Sequence, residues 1–254
     1  MNEPDWDSYA ERALVEDDAH QDVTTLLLGD RARRRAVGRF RVEGDCVVAG
    51  LPLVEAVFRE MDASTVLARL VDEGDSAAAG SFIAEVRGPG GALLSSERVA
   101  LNYLQRLCGI ATTTRRAVDA VAGTGAVITD TRKTTPGIRE LEKYAVRVGG
   151  GQNHRTSLAD AVLWKDNHWE LLGGDDGELR DLIRQVPHGV AVCVEVENDR
   201  QLETVLGADV EWILADNQTP ETIAAWSRRA GPDVIIEASG GITPDSARPF
   251  AEAG

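Results

Sequence analysis

The feature that most constrains this chain is a unit repeated through its second half, a short apolar run ending in a polar or charged residue. The runs are AVIT before Asp130, AVLW before Lys165, VAVCV before Glu195, WILA before Asp216 and VIIEA before Ser239. They recur at intervals of roughly 20 to 35 residues, the length of a strand followed by a helix that returns to a parallel neighbour. Strands joined in this way bring their C-terminal ends to one face, and in a (β/α) barrel that face carries the chemistry. The pattern predicts five parallel strands delivering Asp, Lys, Glu, Asp and Ser to a common rim.

The first half reads differently. Residues 7–18 suit a short helix, and 35–49 have strand character with a turn at Gly44-Asp45. PLVEAVFREM (52–61) has helical spacing, with Val54, Val57, Phe58 and Met61 on one face. Residues 65–71 and 82–88 read as strands around a turn at 73–75, and GPGG (88–91) as a plain loop. A long helix is expected from Ser95 to about Ala122, capped by Ser95 or Ser96 and interrupted at Gly109. These readings place an N-terminal α/β domain over 1–108 and a barrel domain over 109–254.

Composition narrows the partners. The 254 residues carry 42 acidic and 27 basic side chains, a formal charge of −15, which argues against nucleic acid or an anionic membrane as the main partner. With no apolar run long enough to span a bilayer and an acidic, polar opening sequence, the chain reads as cytoplasmic. Cys46, Cys108 and Cys193 are far apart in sequence and form no CxxC, which reads as reduced thiols without structural zinc. The only lysines are Lys133, Lys143 and Lys165; every other basic residue is arginine.

That lysine cluster overlaps the first chemical constellation, DTRKTTPGIRELEKYAVRVGGGQNHR (130–155). Arg132 and Lys133 follow the first predicted barrel strand, and His154 and Arg155 follow three glycines. Guanidinium groups grip carboxylates through paired hydrogen bonds, so several of them in one pocket suit a small polyanion. Glu140, Glu142, Lys143 and Arg147 are expected on a solvated helix face with ion pairs. In LWKDNH (163–168), Lys165 is a point charge for phosphate or carboxylate with Asp166 beside it. Trp164 and Trp169 read as packing residues, while His168 suits a site-lining or a structural role equally. Glu195 and Asp216 end two later strands and can hold ribose hydroxyls or a magnesium ion. Glu197 shares their face only if its strand stays regular there. Ser239, Gly240 and Gly241, before a helix capped near Thr243-Pro244, form a plausible phosphate nest. Such a pocket suits transfer of a phosphorylated sugar onto a carboxylated base.

These segments, with LADN and EASGGI, resemble the quinolinate phosphoribosyltransferase family, the carboxylating nicotinate-nucleotide pyrophosphorylases. The similarity extends to EDDAHQDVTT (16–25), VVAGLP (47–52) and ERVALNYLQRLCGIATTTRR (97–116). The resemblance implies an N-terminal α/β sandwich on an incomplete α/β barrel, and a homodimer with shared sites, or a hexamer built from it. It implies quinolinate and phosphoribosyl pyrophosphate as substrates, Mg²⁺ as cofactor, and nicotinate mononucleotide, CO₂ and pyrophosphate as products. Arg132, His154, Arg155 and Lys165 would bind the quinolinate carboxylates, with Arg98 supplied by a neighbouring subunit. Lys133 and Lys165 would meet the phosphoribosyl donor, with Asp166 beside them. Glu195 and Asp216 would hold the ribose hydroxyls and the metal, and Ser239, Gly240 and Gly241 the phosphate. Lys133, Lys165, Glu195 and Asp216 would be the catalytic group.

Two departures accompany the resemblance. Cys193 stands where the family has glutamate. The sequence ends at Gly254, before the final strand, glycine loop and terminal helix the family implies, so the barrel is expected to lack its last strand. The alternatives are a type II phosphoribosyltransferase for another carboxylated ring, or a quinolinate-binding relative without turnover.

Overall fold

The computed structural model describes residues 3–173, 176–208 and 210–254, so the first two residues of the acidic opening stretch lie outside it. The chain forms two compact units. The first contains Met1–Arg116 and Lys133–Asn153, and the second Ala117–Arg132 and His154–Gly254.

The first unit begins with α1 (Trp6–Glu16) and α2 (Val23–Leu26), followed by β1 (Arg35–Arg41), β2 (Cys46–Val47) and α3 (Leu51–Met61). Then come β3 (Val66–Arg69), β4 (Ser76–Ala77), β5 (Phe82–Pro89), the long α4 (Gly90–Ala120) and α5 (Arg139–Val148). Strands β1, β5 and β3 form an antiparallel sheet in that order, and β2 pairs with β4. The short β4 is absent from the sequence reading because two residues leave no periodicity to detect.

GPGG is not a loop. Its first two residues end β5, and its last two open α4 five positions earlier than predicted. Gly91 is required there, because a Cβ on it would meet the Ala32 Cβ at 2.9 Å. Helix α4 also runs unbroken through Gly109.

Two of the quoted motifs act as fasteners here. In EDDAHQDVTT, Asp22 caps α2 by accepting from the Thr24 and Thr25 amides and also takes the Ser95 hydroxyl on α4. The Thr25 hydroxyl, foremost, holds the Asp22 carboxyl below its usual range. In VVAGLP, Gly50 adopts φ 105° at the start of α3, and a Cβ there would lie 2.7 Å from Leu107 Cδ1. The Glu73 carboxylate covers that helix start, accepting from the Gly50 and Leu51 amides at 2.8 Å each.

Helix α5 corrects the solvated-face expectation. Lys143 is 1% exposed and Glu142 7%, while Leu141 and Ala145 join the core. Glu142 accepts from Arg106 at 2.7 Å and from the Thr135 hydroxyl at 2.8 Å. Glu140 takes the Tyr9 hydroxyl, and Arg147 donates to Asn153 Oδ1. A mixed-charge helix looks amphipathic in sequence, but this one buries part of its charged face by pairing it. Burial pushes the Glu142 carboxyl up, yet the Arg106 and Thr135 hydrogen bonds outweigh it and hold the group below its ordinary range. That contribution is fully present above the unfolded carboxylate pKa and lost as pH falls through the depressed folded value. Glu142→Gln is therefore expected to cost about 2 kcal/mol near neutrality, through the weakened charge-assisted bonds. Urea unfolding of both proteins at pH 7 and pH 3 should show the gap shrinking in acid; a gap independent of pH would contradict this pairing.

The second unit holds β6 (Val162–Trp164), α6 (Asp166–Leu171), α7 (Asp176–Ile183), β7 (Val192–Val196) and α8 (Asp199–Leu206). It continues with β8 (Trp212–Asp216), α9 (Pro220–Ala230), β9 (Ile235–Ser239) and α10 (Ala247–Glu252). The strands form one parallel sheet in chain order, β6-β7-β8-β9. Four of the five predicted strands are present. The AVIT run is not one of them: among 126–129 only Thr129 makes an isolated bridge. Apolar composition marked that run, but no ladder forms along it.

Alternation sorts the sheet into two faces. Val192, Val194 and Val196 of β7 and Ile213 and Ala215 of β8 pack with Leu202, Ile223 and Trp226 of the helices. Ile236 and Ala238 of β9 lie against the same cluster. The intervening residues, among them Cys193, Glu195, Asp216, Glu237 and Ser239, project from the opposite face. The chemical residues are therefore interleaved one by one with the core.

Candidate functional site

The polar face is built by register. Leu163 pairs with Cys193, Glu195 with Leu214, Leu214 with Glu237 and Asp216 with Ser239. Extending the first register by two residues sets Lys165 beside Glu195, and Lys165 Nζ donates to Glu195 Oε2 at 2.7 Å. Glu195 is 7% exposed while the Lys165 side chain reaches solvent, so the lysine neutralises a carboxylate that would be costly to bury alone. Trp169 fixes the strand end by donating its indole N–H to the Glu195 carbonyl at 3.0 Å, and it packs as predicted.

The cations gather at the other side of the face. The His154 ring stacks on Trp212 with centroids 5.4 Å apart, and its Nε2 lies 3.4 Å from Glu237 Oε2. Thr129 donates its hydroxyl to the other Glu237 oxygen at 3.1 Å. The His154 amide is held by Asp130 Oδ1 at 2.9 Å, and its Nδ1 accepts the Arg155 amide at 2.8 Å. Arg155 reaches the Ala161 carbonyl through one terminal nitrogen, while its Nε is buried with no hydrogen-bond partner among the described residues. Burial, and then the adjacent Arg132 cation, hold the Arg155 guanidinium below the usual arginine range. Two guanidiniums kept this close, one with a buried unmet donor, are arranged for an anion.

Cys193 lies in the middle of this face, fully buried. Burial first, then the Glu237 carboxylate, push its thiol up to about 12. Arg155, Glu195 and Lys165 also act on it electrostatically, so these three predicted residues share one small region.

At the rim, Asp216 ends β8 and accepts the Asn217 amide at 2.6 Å. Asn217 itself adopts φ 52° and donates its backbone N–H to the Ser239 carbonyl at 2.9 Å. Gly240 and Gly241 follow with φ 95° and 63°, so consecutive residues turn in the left-handed region and form a concave stretch of backbone. The expected cap at Thr243-Pro244 is not found. Helix α10 starts at Ala247, behind a turn in which Ser246 Oγ accepts the Thr243 amide. The glycine nest is thus a loop separated from its helix.

Other predicted residues fall outside this grouping. Asp166 is exposed in the first turn of α6, accepting the Asn167 amide. His168 is structural, its Nδ1 accepting the Lys165 amide at 2.8 Å. β7 ends at Val196, so Glu197 lies beyond the strand and is exposed. Arg98, on α4, and Lys133 are exposed members of the first unit. Sequence reasoning missed His154's two supports, Trp212 and Glu237. The signal was available: both fall at alternate positions of predicted strands, on the face that also bears Asp216 and Ser239. Among the described residues, no group of three His, Cys, Asp or Glu side chains could hold a metal ion by itself. No described helix is long and apolar enough to cross a membrane.

An antiparallel-sheet domain joined to a parallel α/β region, whose polar face combines an arginine pair with strand-end carboxylates and a glycine nest, suits a phosphoribosyl-transfer enzyme. The comparisons agree. Family models described as the N-terminal and C-terminal domains of quinolinate phosphoribosyl transferase match residues 22–108 and 110–254. The chain belongs to the quinolinate phosphoribosyltransferase family. It is 39% identical over 246 residues to a probable carboxylating nicotinate-nucleotide pyrophosphorylase of Synechocystis, covering 94% of this chain and 83% of that one. It is 41% identical to the carboxylating nicotinate-nucleotide pyrophosphorylase of Mycobacterium leprae, with 82% and 75% covered. The crystal structure of NadC from Streptococcus pyogenes superposes with a TM-score of 0.89 at 36% identity, covering 96% of this chain and 86% of that one.

Proposed function

We propose that the chain is a carboxylating nicotinate-nucleotide pyrophosphorylase, transferring phosphoribosyl from phosphoribosyl pyrophosphate to quinolinate in NAD biosynthesis. The observation that carries this reading is the gathering around Cys193 of Arg155, with Arg132 next to it, and the Lys165–Glu195 ion pair. The first suits a dianionic ring and the second a sugar that becomes cationic.

Arg132, His154, Arg155 and Lys165 bind the two carboxylates, and Arg98 comes from a second copy of the chain in a homodimer with shared sites, or in a hexamer of such dimers. Lys133 and Lys165 meet the donor's phosphates, with Asp166 beside them, and Ser239, Gly240 and Gly241 hold the ribose phosphate. The C1–O bond to pyrophosphate breaks, its electron pair leaving with the pyrophosphate. Glu195 and Asp216 sit at the ribose hydroxyls and stabilise the positive charge that grows on the sugar. The ring nitrogen then bonds to C1. The cationic ring accepts the electron pair released when the neighbouring carboxylate leaves as CO₂, and a proton fills that carbon. Holding the reactants in line supplies much of the acceleration.

Mg²⁺ fits this donor set as an ion delivered with the donor. Two carboxylates, with no third protein ligand grouped with them among the described residues, match the habit of magnesium, which binds through one or two carboxylates together with substrate phosphates. Glu195 is already matched by Lys165, so Asp216 would be the principal protein ligand and Glu195 the second. When bound, the ion neutralises charge on the departing pyrophosphate.

We further propose that the parallel region is an incomplete barrel and the antiparallel region an α/β sandwich, with the domain division at 108/109, as the bounds of the two matched family models support. We assign the enzyme to the cytoplasm, in keeping with three unbridged cysteines.

The test mixes the protein with carboxyl-labelled quinolinate, phosphoribosyl pyrophosphate and MgCl₂, and follows CO₂ and the mononucleotide. Equal amounts of both are expected. Quinolinate binding without product would favour the non-catalytic alternative, and turnover with nicotinate alone would refute the carboxylating activity. In a second arm, inactive Arg98→Ala and Arg132→Ala proteins are dissociated and mixed; partial recovery is expected, and none would count against a shared site.

A further inference from the structure

Two of the three cysteines, distant in sequence, meet in the first unit. Cys46 lies on β2 and Cys108 on α4, and both line one cavity of about 1240 Å³ with Phe40, Leu104 and Thr112 among its walls. Their thiols lie near enough to influence each other's protonation. The approach is enforced by the backbone: the Val47 amide donates to Thr112 Oγ1 at 2.9 Å, and the Ala49 amide to Cys108 Sγ at 3.3 Å. The segment after Cys46 is thereby clamped to one turn of α4. Cys46 is half-buried and Cys108 is 8% exposed. Nothing in the proposed transfer reaction uses either thiol.

We propose that Cys46 and Cys108 are a reversible dithiol–disulfide pair, with Cys46 the entry thiol for a small disulfide such as glutathione disulfide and Cys108 the resolving thiol. Cys46 sulfur attacks one sulfur of glutathione disulfide as thiolate, forming a mixed disulfide and releasing one glutathione. Cys108 sulfur, losing its proton to water, then attacks Cys46 Sγ and expels the second glutathione. Two protein thiols are oxidised, one glutathione disulfide is reduced, and the only other change is in protonation. Burial raises both thiols. The Cys108 thiol reaches about 12, with the Cys46 sulfur and the Glu73 carboxylate adding to the effect, and Asp45 acts likewise on Cys46. The pair is therefore protonated at neutral pH, and exchange speeds up as pH rises. Proximity compensates for the small thiolate fraction in the resolving step. The site is independent of the activity proposed above.

The full chain is incubated with glutathione disulfide at pH 8.5, quenched in acid, alkylated and mapped by mass spectrometry. The expected product is a Cys46–Cys108 linked peptide pair with Cys193 unlinked, and a Tm raised by roughly 5 °C that dithiothreitol reverses. A glutathione adduct that persists on Cys46 beside a free Cys108, an unreacted Cys46, or a link through Cys193 would each overturn the proposal. Cys108→Ser should accumulate the Cys46 adduct, and Cys46→Ser should leave Cys108 unmodified in the native state; modification of Cys108 there would refute the order. Mapping of the unsubstituted protein stands even if Cys108→Ser fails to fold.

Discussion

Replacing Glu195 with alanine is expected to lower kcat by about 10³-fold, with a smaller change in the KM for quinolinate. Glu195 is buried, and its Oε2 takes the Lys165 ammonium at 2.7 Å, so the substitution removes a carboxylate from the proposed sugar site and leaves a lysine unmatched. The loss should fall on the chemical step, because positive charge on the ribose exists only as pyrophosphate leaves. Glu195→Gln keeps the shape and separates the two effects. It should fold like the parent by circular dichroism and still lose most of the activity. If the glutamine protein kept near-parental kcat, Glu195 would be a packing residue and the ribose assignment would fail. Lys143→Ala is not a mild control for this experiment. Lys143 is 1% exposed, so its removal hollows the first unit's core.

Gly240→Ala is expected to be nearly as damaging, by a different route. The residue holds φ 95°, and a Cβ there would overlap the Asn217 side-chain oxygen and lie 2.9 Å from its backbone nitrogen. Strain at such a φ costs on the order of 1–3 kcal/mol, and here the neighbour cannot withdraw easily. Asn217 is itself left-handed, and its amide is fixed to the Ser239 carbonyl. Something must move, and what moves is the proposed phosphate loop. The expected signature is a KM for phosphoribosyl pyrophosphate raised at least tenfold, with quinolinate binding measured by calorimetry nearly unchanged. A Gly241→Ala protein, whose added Cβ meets nothing within 4 Å, should lose less. Equal effects at the two glycines would argue that backbone strain, and not the contact with Asn217, decides the outcome.

The parallel region was the more legible half. The strands ending at Asp216 and Ser239 carry consecutive β-branched or aromatic residues, and those ending at Trp164 and Val196 carry them at alternate positions, a signal that is local in both forms. The same signal misled at AVIT, because whether a strand forms also depends on a partner ladder that one sequence does not display. Lys143 was misread for a related reason. The charge of Glu140, Glu142, Lys143 and Arg147 looks solvated until Arg106 and Tyr9 arrive from distant positions, with Thr135 from the preceding loop, to meet it. Long-range pairing of this kind leaves no spacing to detect. The glycine loop's separation from α10 was hidden because Thr243-Pro244 is a good helix start in isolation, yet Ser246 turns the chain once more. His154 and Arg155 were legible as residues but not in their supports, since the stack on Trp212 joins elements far apart in sequence.

Because reactive groups and core valines alternate along β7, the strand tolerates substitution far better than a change in its length. Deleting one residue before Glu195 would turn the whole strand over, burying a carboxylate against Trp226 and Ile213 while Val194 took its place on the polar face. A length change there would abolish folding and activity together, so variants of this enzyme with altered substrate choice should be sought among point replacements on that strand and in loops of adjustable length.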